Sequence, residues 1–385
     1  MAPRDTLSRV APYLEAMGIT RLSRQTDLDC VGLPVWCAYT PNSRSIVIAQ
    51  GKGLEDIDAK VSAAMEALER AVAGDPITVT TVSSARDLKR RGDRVEPLDC
   101  LIASGERVVG EDEELAWSLA TELLHDQPIH VPQDAAILDR TRHNRFWMSS
   151  DGLASGNTMD EAIFHGILER IERDAHVLWQ IASDDRRDSC CVDPKSFADT
   201  ALSGLIDRIE AAGLVVKLFD ITSDIGIPCY TALVAPSTAN GKAPLRFVEV
   251  TGGSGAHPWA VRAAIRAVTE ALQSRLTYIS GARDDVWPEL FTTPLPAQTR
   301  SAFLAVPAPV SAATIAKPVG TVSNLLHELL ARLRACGIGS VIALPLMPED
   351  RSFSVVKIFI PDLENPEGNR LHRFGQRALA RAMRW

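Results

Sequence analysis

Residues 155–175 read SGNTMDEAIFHGILERIERDA, and the fold turns on this stretch. Asn157 and Thr158 are residue types whose side-chain oxygen accepts a bond from a first-turn amide, and Glu161 stands at capping-box distance from Thr158. Ile163, Ile167, Leu168 and Ile171 then recur at helical spacing, which predicts a helix from about Thr158 to Ile181. Asn157, Glu161, His165, Glu169 and Glu172 share an arc of about 120° on that helix. A helix apolar over most of its girth that carries such a stripe either turns it to bulk water or lines a cleft. Like charges at this spacing destabilise a helix by a few tenths of a kcal/mol per pair. A bound cation makes sense of the pattern.

The spacing recurs. Ser62, Glu66 and Glu69 precede Arg70; His165, Glu169 and Glu172 precede Arg173; Arg266, Glu270 and Gln273 form a third set. Each set occupies positions i, i+4 and i+7, within about 60° of arc. Ser62 to His165 is 103 positions and His165 to Arg266 is 101, which predicts three related subdomains, each presenting one polar helix face. Carboxylates with Asn and Ser oxygens are hard ligands and suit Mg²⁺; zinc or iron would want more imidazoles or thiolates. Arg266 adds a fork that can hold a phosphate bidentately. Acids, Mg²⁺ and arginine together describe a site for a nucleoside triphosphate. No GxxxxGK[ST], GxSxG or HExxH is present, and Gln50-Gly51-Lys52-Gly53 is too short for a P-loop. Gly252-Gly253-Ser254-Gly255 reads as a turn that could nest an anion.

The rest of the chain frames these helices. Strands are expected at 33–40, 45–50, 77–82, 114–123, 128–131, 214–221, 229–234, 247–250, 340–344 and 353–360. Helices are expected at 54–73, 197–212, 258–281, 322–336 and 372–383, with a Pro- and Ala-rich surface connection at 294–318. This is a mixed α/β fold, read as one domain over 1–385 with approximate subdomains 1–145, 146–250 and 251–385. With 385 residues, 46% of them hydrophobic, the chain can bury a large core. A net charge of −8 and 5% aromatics argue against a general nucleic-acid binder. Neither a signal peptide nor an apolar membrane-spanning run is evident, so a cytoplasmic protein without a membrane is expected. Seven cysteines without CxxC spacing argue against disulfides or zinc and predict reduced, mostly buried thiols. The Cys190–Cys191 pair as a redox or sulfur-carrying element is the minority reading. Trp36, Trp117, Trp147 and Trp179 read as core or subdomain-interface residues. His257 reads as a turn residue or as one approaching a phosphate, and Arg370, Arg373, Arg377, Arg381 and Arg384 as a solvated face.

The same residues resemble the YcaO family of ATP-dependent amide-activating enzymes. GITRLSRQTDLDCVGLPVW (18–36) looks like that family's opening segment, and NSRSIVIAQGKGLEDIDAKVSAAMEALER (42–70) carries its SxxxExxE motif. GLASGNTMDEAIFHGILERIERDA (152–175) and GSGAHPWAVRAAIRAVTEALQSR (253–275) match its NxxxE…ExxER and RxxxExxQSR motifs. The resemblance implies a YcaO-type fold of about three subdomains around one nucleotide site, with ATP and Mg²⁺ as cofactors. It implies that Thr6, Ser62, Asn157, His165, Arg173, Arg266 and Glu270 hold ATP. Glu66, Glu69, Glu161, Glu169, Glu172 and Glu270 would hold Mg²⁺, and Arg266, Glu270 and His165 would serve catalysis. His165 stands where family members commonly have Gln.

The implied substrate is a ribosomally made peptide or protein. A nucleophile adds to its amide carbonyl, the oxyanion takes the γ-phosphoryl group, and loss of phosphate completes the exchange. A Cys, Ser or Thr side chain as nucleophile gives an azoline, and external sulfide gives a thioamide. Azoline-forming members often end in a PxPxP tail, whereas residues 378–385 read ALARAMRW. The look is that of the stand-alone or TfuA-associated branch, which puts thioamide formation slightly ahead of azoline formation and implies a TfuA-like sulfur-delivery or recognition partner and a homodimer. The alternatives are a non-catalytic scaffold or peptide-delivery partner, and an ATP-dependent ligase that captures a carboxylate.

Overall fold

Helix α1 (Pro3–Leu14) opens the chain, with Pro3 in the first turn, where a missing N–H breaks no helical bond. Strands β1 (Arg21–Arg24), β2 (Val35–Tyr39) and β3 (Ile48–Lys52) follow and pair antiparallel in that order. Helix α2 (Asp56–Gly74) folds back onto β2 and β3. The approach is close because Gly51 has no side chain: a Cβ there would stand 2.0 Å from the Ala63 nitrogen. A computed structural model describes residues 1–240, 244–310, 317–348, 352–366 and 368–383.

The second sheet gathers strands from distant parts of the chain. β4 (Thr80–Ser84), β5 (Glu114–Glu122), β6 (Gln127–Pro132) and β7 (Leu153–Gly156) come from the middle, with helix α3 (Ala85–Arg90) after β4. β12 (Ile342–Pro345) and β13 (Ser354–Phe359) come from the C-terminal part and fill the gap between β5 and β7. Glycine again seats a helix on a strand end. A Cβ on Gly156 would lie 2.6 Å from the Ala162 nitrogen of α4 (Met159–Gln180).

After α5 (Asp184–Ser189), the third sheet runs β11-β10-β9-β8, all antiparallel. Its members are β8 (Cys191–Val192), β9 (Leu214–Asp220), β10 (Cys229–Pro236) and β11 (Thr251–Ala256), with α6 (Thr200–Ala211) between β8 and β9. Helix α7 (Ala260–Ser280) lies on β11, and a Cβ on Gly253 would be 2.2 Å from the Ala271 nitrogen. The strand–glycine–helix unit therefore occurs three times, once for each polar helix. Helices α8 (Ala297–Ala302), α9 (Val322–Ala335) and α10 (Gln376–Ala382) complete the elements.

Helix α4 occupies the middle, touching β7 and β13 on one side, β10 and β11 on another, and α9 and α10. Its Ala162, Ile163, Ile167, Leu168, Ile171 and Ala175 sit in a core cluster with Ala256, Leu329, Leu333, Val356 and Ile358. Packing on so many sides forces the polar residues of this helix into crowded surroundings.

Several expectations change. Residues 247–249 form a 3-10 turn, and the strand follows as β11. The run Gly252-Gly253-Ser254-Gly255 is strand, not a turn, and its glycines serve helix contact. The second sheet cuts across the divisions at 145 and 250, because β12 and β13 pair with β5 and β7. The 294–318 connection contributes buried Leu295, Ala302, Phe303 and Ala305; residues 311–316 lie outside the described residues. All seven cysteines are free, but only Cys37, Cys191 and Cys229 are buried. The basic end is only in part a solvated face, since Arg373 and Arg381 are exposed. Arg370 is buried, and Arg377 holds Asp174 at 2.9 Å and also pairs with Asp224; Arg384 lies outside the described residues. Trp117 is fully buried, while Trp36 and Trp179 pack against core clusters. Among the described residues no helix is long and apolar enough to cross a membrane.

Candidate active site

The polar stripe of α4 is fixed from its first residue. The Thr158 hydroxyl accepts the Glu161 backbone N–H at 3.3 Å, so Thr158 is the N-cap. The Glu161 carboxylate reaches one residue further back, accepting the backbone N–H of Asn157 at 2.8 Å and its side-chain amide at 2.9 Å. This leaves Asn157 Oδ1 to accept the hydroxyl of buried Thr6, 2.9 Å away on α1. Thr6, Asn157 and Glu161 are thus brought together, and His165 follows one turn along. His165 is exposed, yet desolvation by the surrounding protein and then the Arg266 guanidinium push its imidazole down to about 4, keeping it neutral.

Further along α4, three helices meet. Arg173 donates to Asp151 at 3.1 Å and Glu169 at 3.2 Å, with Glu172 3.6 Å away. Glu172 accepts the backbone N–H of Ala256, at the end of β11, at 3.1 Å. Glu270 of α7 pairs with Lys52 of β3 at 3.2 Å. Burial pushes the Glu270 carboxyl up, but Lys52, Arg173 and Arg266 outweigh it and hold it below the ordinary range. Glu172 goes the other way: burial, then Glu270 nearby, raises it to about 7. Among the described residues Arg266 forms no ion pair within 4.0 Å; it is exposed, within electrostatic reach of Glu172 and Glu270.

The α2 carboxylates come up beside Ser155 and Glu169. Glu69 accepts the Ser155 hydroxyl at 3.2 Å, and Glu66 pairs with Arg70 at 3.1 Å. Burial, then Glu66 and Glu169, push the Glu69 carboxyl well above its usual range. Glu169 is raised as well, by burial, despite the Arg173 contact and the Gly152 N–H it accepts at 2.9 Å. Ser62 is half-buried one turn before Glu66. Glu69, Glu169 and Glu172 are crowded enough to resist ionisation, while Glu66, Glu169 and Glu270 keep 31%, 24% and 28% of their side-chain surface open. Groups both crowded and wet line a cleft.

The donor set suits Mg²⁺. Among the described residues no three His, Cys, Asp or Glu side chains form a ready metal cage, and the six predicted carboxylates do not make one cluster. Glu161 is held by Asn157, while Glu66, Glu69 and Glu169 form one group and Glu172 and Glu270 another. Mg²⁺ usually takes one or two carboxylates and completes its shell with phosphate oxygens and water, so dispersed acids fit better than a cage. A divalent cation beside these crowded acids would favour their ionised form. Gln273 donates to the Gln50 carbonyl at 2.9 Å, and its own Oε1 is buried without a partner.

Sequence reasoning missed Lys52, Asp151, Ser155 and Lys357. Lys52 was visible inside Gln50-Gly51-Lys52-Gly53, but a P-loop template looks for phosphate contact rather than for a partner on another helix. His257 takes the turn role: its Nδ1 accepts the Trp259 N–H at 2.9 Å at the entrance to α7. Arg275 holds Asp29 at 3.1 Å and Arg283 pairs with Asp285, so both brace the fold.

The family model described as YcaO cyclodehydratase, ATP- and Mg²⁺-binding, matches residues 50–364. An uncharacterized protein in the tfuA 3′ region of Rhizobium leguminosarum bv. trifolii is 34% identical over 396 residues, covering 98% of this chain and 91% of that one. The structure of YcaO from Methanopyrus kandleri bound with AMPPCP and Mg²⁺ matches with a TM-score of 0.70 at 21% identity, over 94% of this chain and 91% of that one. A heterocyclase in complex with substrate and cofactor gives a TM-score of 0.76 at 19% identity; the match covers 96% of this chain and 54% of the heterocyclase. This chain belongs to the YcaO family, and its cofactors are ATP and Mg²⁺. It is an ATP-dependent, amide-activating enzyme.

Proposed function

We propose that this chain activates a backbone amide of a ribosomally made peptide by phosphorylation and exchanges the amide oxygen for sulfur, giving a thioamide. The observation that carries the activation chemistry is the meeting of α2, α4 and α7 carboxylates beside the exposed Arg266. The thioamide outcome, with a TfuA-like sulfur-delivery partner, is supported by the relative in the tfuA 3′ region, aligned over nearly the whole of both chains.

In this reading Glu66, Glu69, Glu169, Glu172 and Glu270 hold Mg²⁺, with Glu161 supporting Asn157. Bound Mg²⁺ neutralises triphosphate charge and draws electron density from the transferring phosphoryl group. Thr6, Ser62, Asn157 and Arg173 position the nucleotide. Arg266 offers two parallel N–H groups to phosphate oxygens as charge builds there. Glu270, ionised beside Lys52, holds Arg266 and Arg173 in place by charge, and neutral His165 can donate an N–H to the nucleotide. Hydrosulfide adds through sulfur to the amide carbon, and the carbonyl π electrons move to oxygen. That oxygen takes the γ-phosphoryl group and ADP leaves. Departure of phosphate with the C–O electron pair, and loss of the S–H proton, leave C=S.

Glu66→Ala and Glu172→Ala should each fold and lose Mg²⁺-dependent ATP binding; normal affinity in both would overturn the site. Product mass decides the outcome: an oxygen-to-sulfur shift marks the thioamide, and loss of water marks an azoline.

A further inference from the structure

Beside α4, next to the Asp151–Arg173 pair, the structure holds a small cavity of about 20 Å³. Its lining includes Cys100, Ala135, Trp147, Asp151, Arg170 and Lys357. Arg170 and Lys357 are each 3% exposed, and Arg370, 6% exposed, stands close by. Arg170 and Lys357 line the space and Arg370 stands near it, and none of the three hydrogen-bonds a carboxylate among the described residues. Arg170 donates only to the Glu364 carbonyl, Lys357 to the Ser149 carbonyl at 2.6 Å, and Arg370 to backbone carbonyls. Arg170 Nη1 and Arg370 Nε are buried with no partner at all.

The nearby acids accept their hydrogen bonds from other groups, although Asp151 stays within electrostatic reach of Arg170 and Lys357. Asp151 takes Arg173 and the Ser149 hydroxyl, and Glu364 takes the backbone N–H groups of Gly375 and Ala378. Glu69 and Glu169 lie within electrostatic range of Lys357, but bind Ser155, Gly152 and Arg173. Buried cations with unmet N–H donors are costly, and a small anion relieves both costs where a water relieves only one. Size restricts the choice. One water needs about 10–15 Å³ by this measure, so the space suits an anion of one heavy atom better than phosphate or a carboxylate. Cys100 adds a neutral lining, since burial pushes its thiol up to about 11.

We infer that this cavity is a binding site for one anion of single-atom size, and that hydrosulfide, the sulfur nucleophile, fills it in the working enzyme. The choice of hydrosulfide rests on the thioamide reading; the anion site rests on the cavity alone. Asp151 and Lys357 belong to both the cavity and the charge network of Glu169 and Arg173, so sulfur held here stands one layer behind the reacting groups.

Bromide is the probe. Crystals of the full chain soaked in sodium bromide should show an anomalous bromine peak between Arg170 and Lys357. Ala135→Leu fills the space without changing charge, and Arg170→Met removes the unmatched donor. In thioamidation assays with sodium sulfide varied, each should raise KM for sulfide about tenfold while KM for ATP stays within about twofold. If one variant fails to fold, the other and the bromide map still decide. No bromine peak overturns the site. A peak with KM for sulfide unmoved in the folded variants means an adventitious halide only, and overturns the hydrosulfide assignment. A wild-type enzyme that gives no oxygen-to-sulfur product overturns the thioamide reading separately, whatever the map shows.

Discussion

Replacing Glu172 with Gln should make the nucleotide-free protein more stable, and only at the alkaline end. The Glu172 carboxyl is 4% exposed, and burial with Glu270 beside it raises its pKa from 4.5 to about 7 in the folded chain. Between those values the native state binds a proton that the unfolded chain has lost, so stability falls as pH rises through this window. Above it the ionised group costs the fold about 3 kcal/mol. Gln cannot ionise, and its carbonyl can still accept the Ala256 N–H. Allowing for the lost attraction of Arg173, Glu172→Gln should gain about 1–3 kcal/mol at pH 8 and match the parent within about 0.5 kcal/mol at pH 5. Urea unfolding at the two pH values measures the difference. Calorimetry of Mg²⁺·AMPPCP binding at pH 6.5, in buffers of different ionisation enthalpy, adds a second reading. The parent should release protons on binding as Glu172 ionises, and the variant should bind weakly and release fewer. A variant less stable than the parent at pH 8, or an equal gap at both pH values, would refute the reasoning.

Lys52→Met removes the ammonium 3.2 Å from Glu270, so the Glu270 carboxyl should rise and the acid limb of the kcat/KM–pH profile should move to higher pH. Arg377→Ala strands the fully buried Asp174 and should lower stability by about 3–5 kcal/mol in urea unfolding, with Arg377→Lys recovering part of it. Gly51→Ala places a Cβ 2.0 Å from the Ala63 nitrogen, so α2 must shift; a loss of about 3 kcal/mol or more, with weakened nucleotide binding, should follow in thermal melts and titrations.

The three polar helices were legible because each signal was local. The Thr158 cap, the apolar spacing of α4 and the i, i+4, i+7 acids all lie within a few turns of one another. Their meeting was also legible, since repeated spacing implies repeated packing. The partners were not. Lys52 reaches Glu270 from another sheet, Ser155 reaches Glu69 across a subdomain, and Lys357 arrives beside Glu169 on a strand near the C-terminus. Nothing in the local pattern of Lys357, one residue in an apolar strand, marks it as a cavity group. The glycine run at 252–255 was misread for a physical reason: glycine signals a turn by its free backbone, but here its missing Cβ lets α7 lie against β11. Strands 342–345 and 354–359 were placed nearly correctly, while their pairing with β5 and β7 depends on contacts that periodicity does not carry.

That pairing has a consequence for synthesis. Ile342 lies opposite Glu122 and Lys357 opposite Leu153, so more than 200 residues emerge from the ribosome between partners. Until then the flanks of β5 and β7 have open hydrogen-bonding edges, which are prone to pairing with the wrong chain. Helix α4 rests on β7 and β13, so a nascent chain cannot finish its nucleotide cleft early and spend ATP before translation of this region is complete. Expression yield should therefore respond more to chaperone supply and elongation rate than to surface composition, and truncations that remove β12 and β13 should give inclusion bodies rather than a smaller working enzyme.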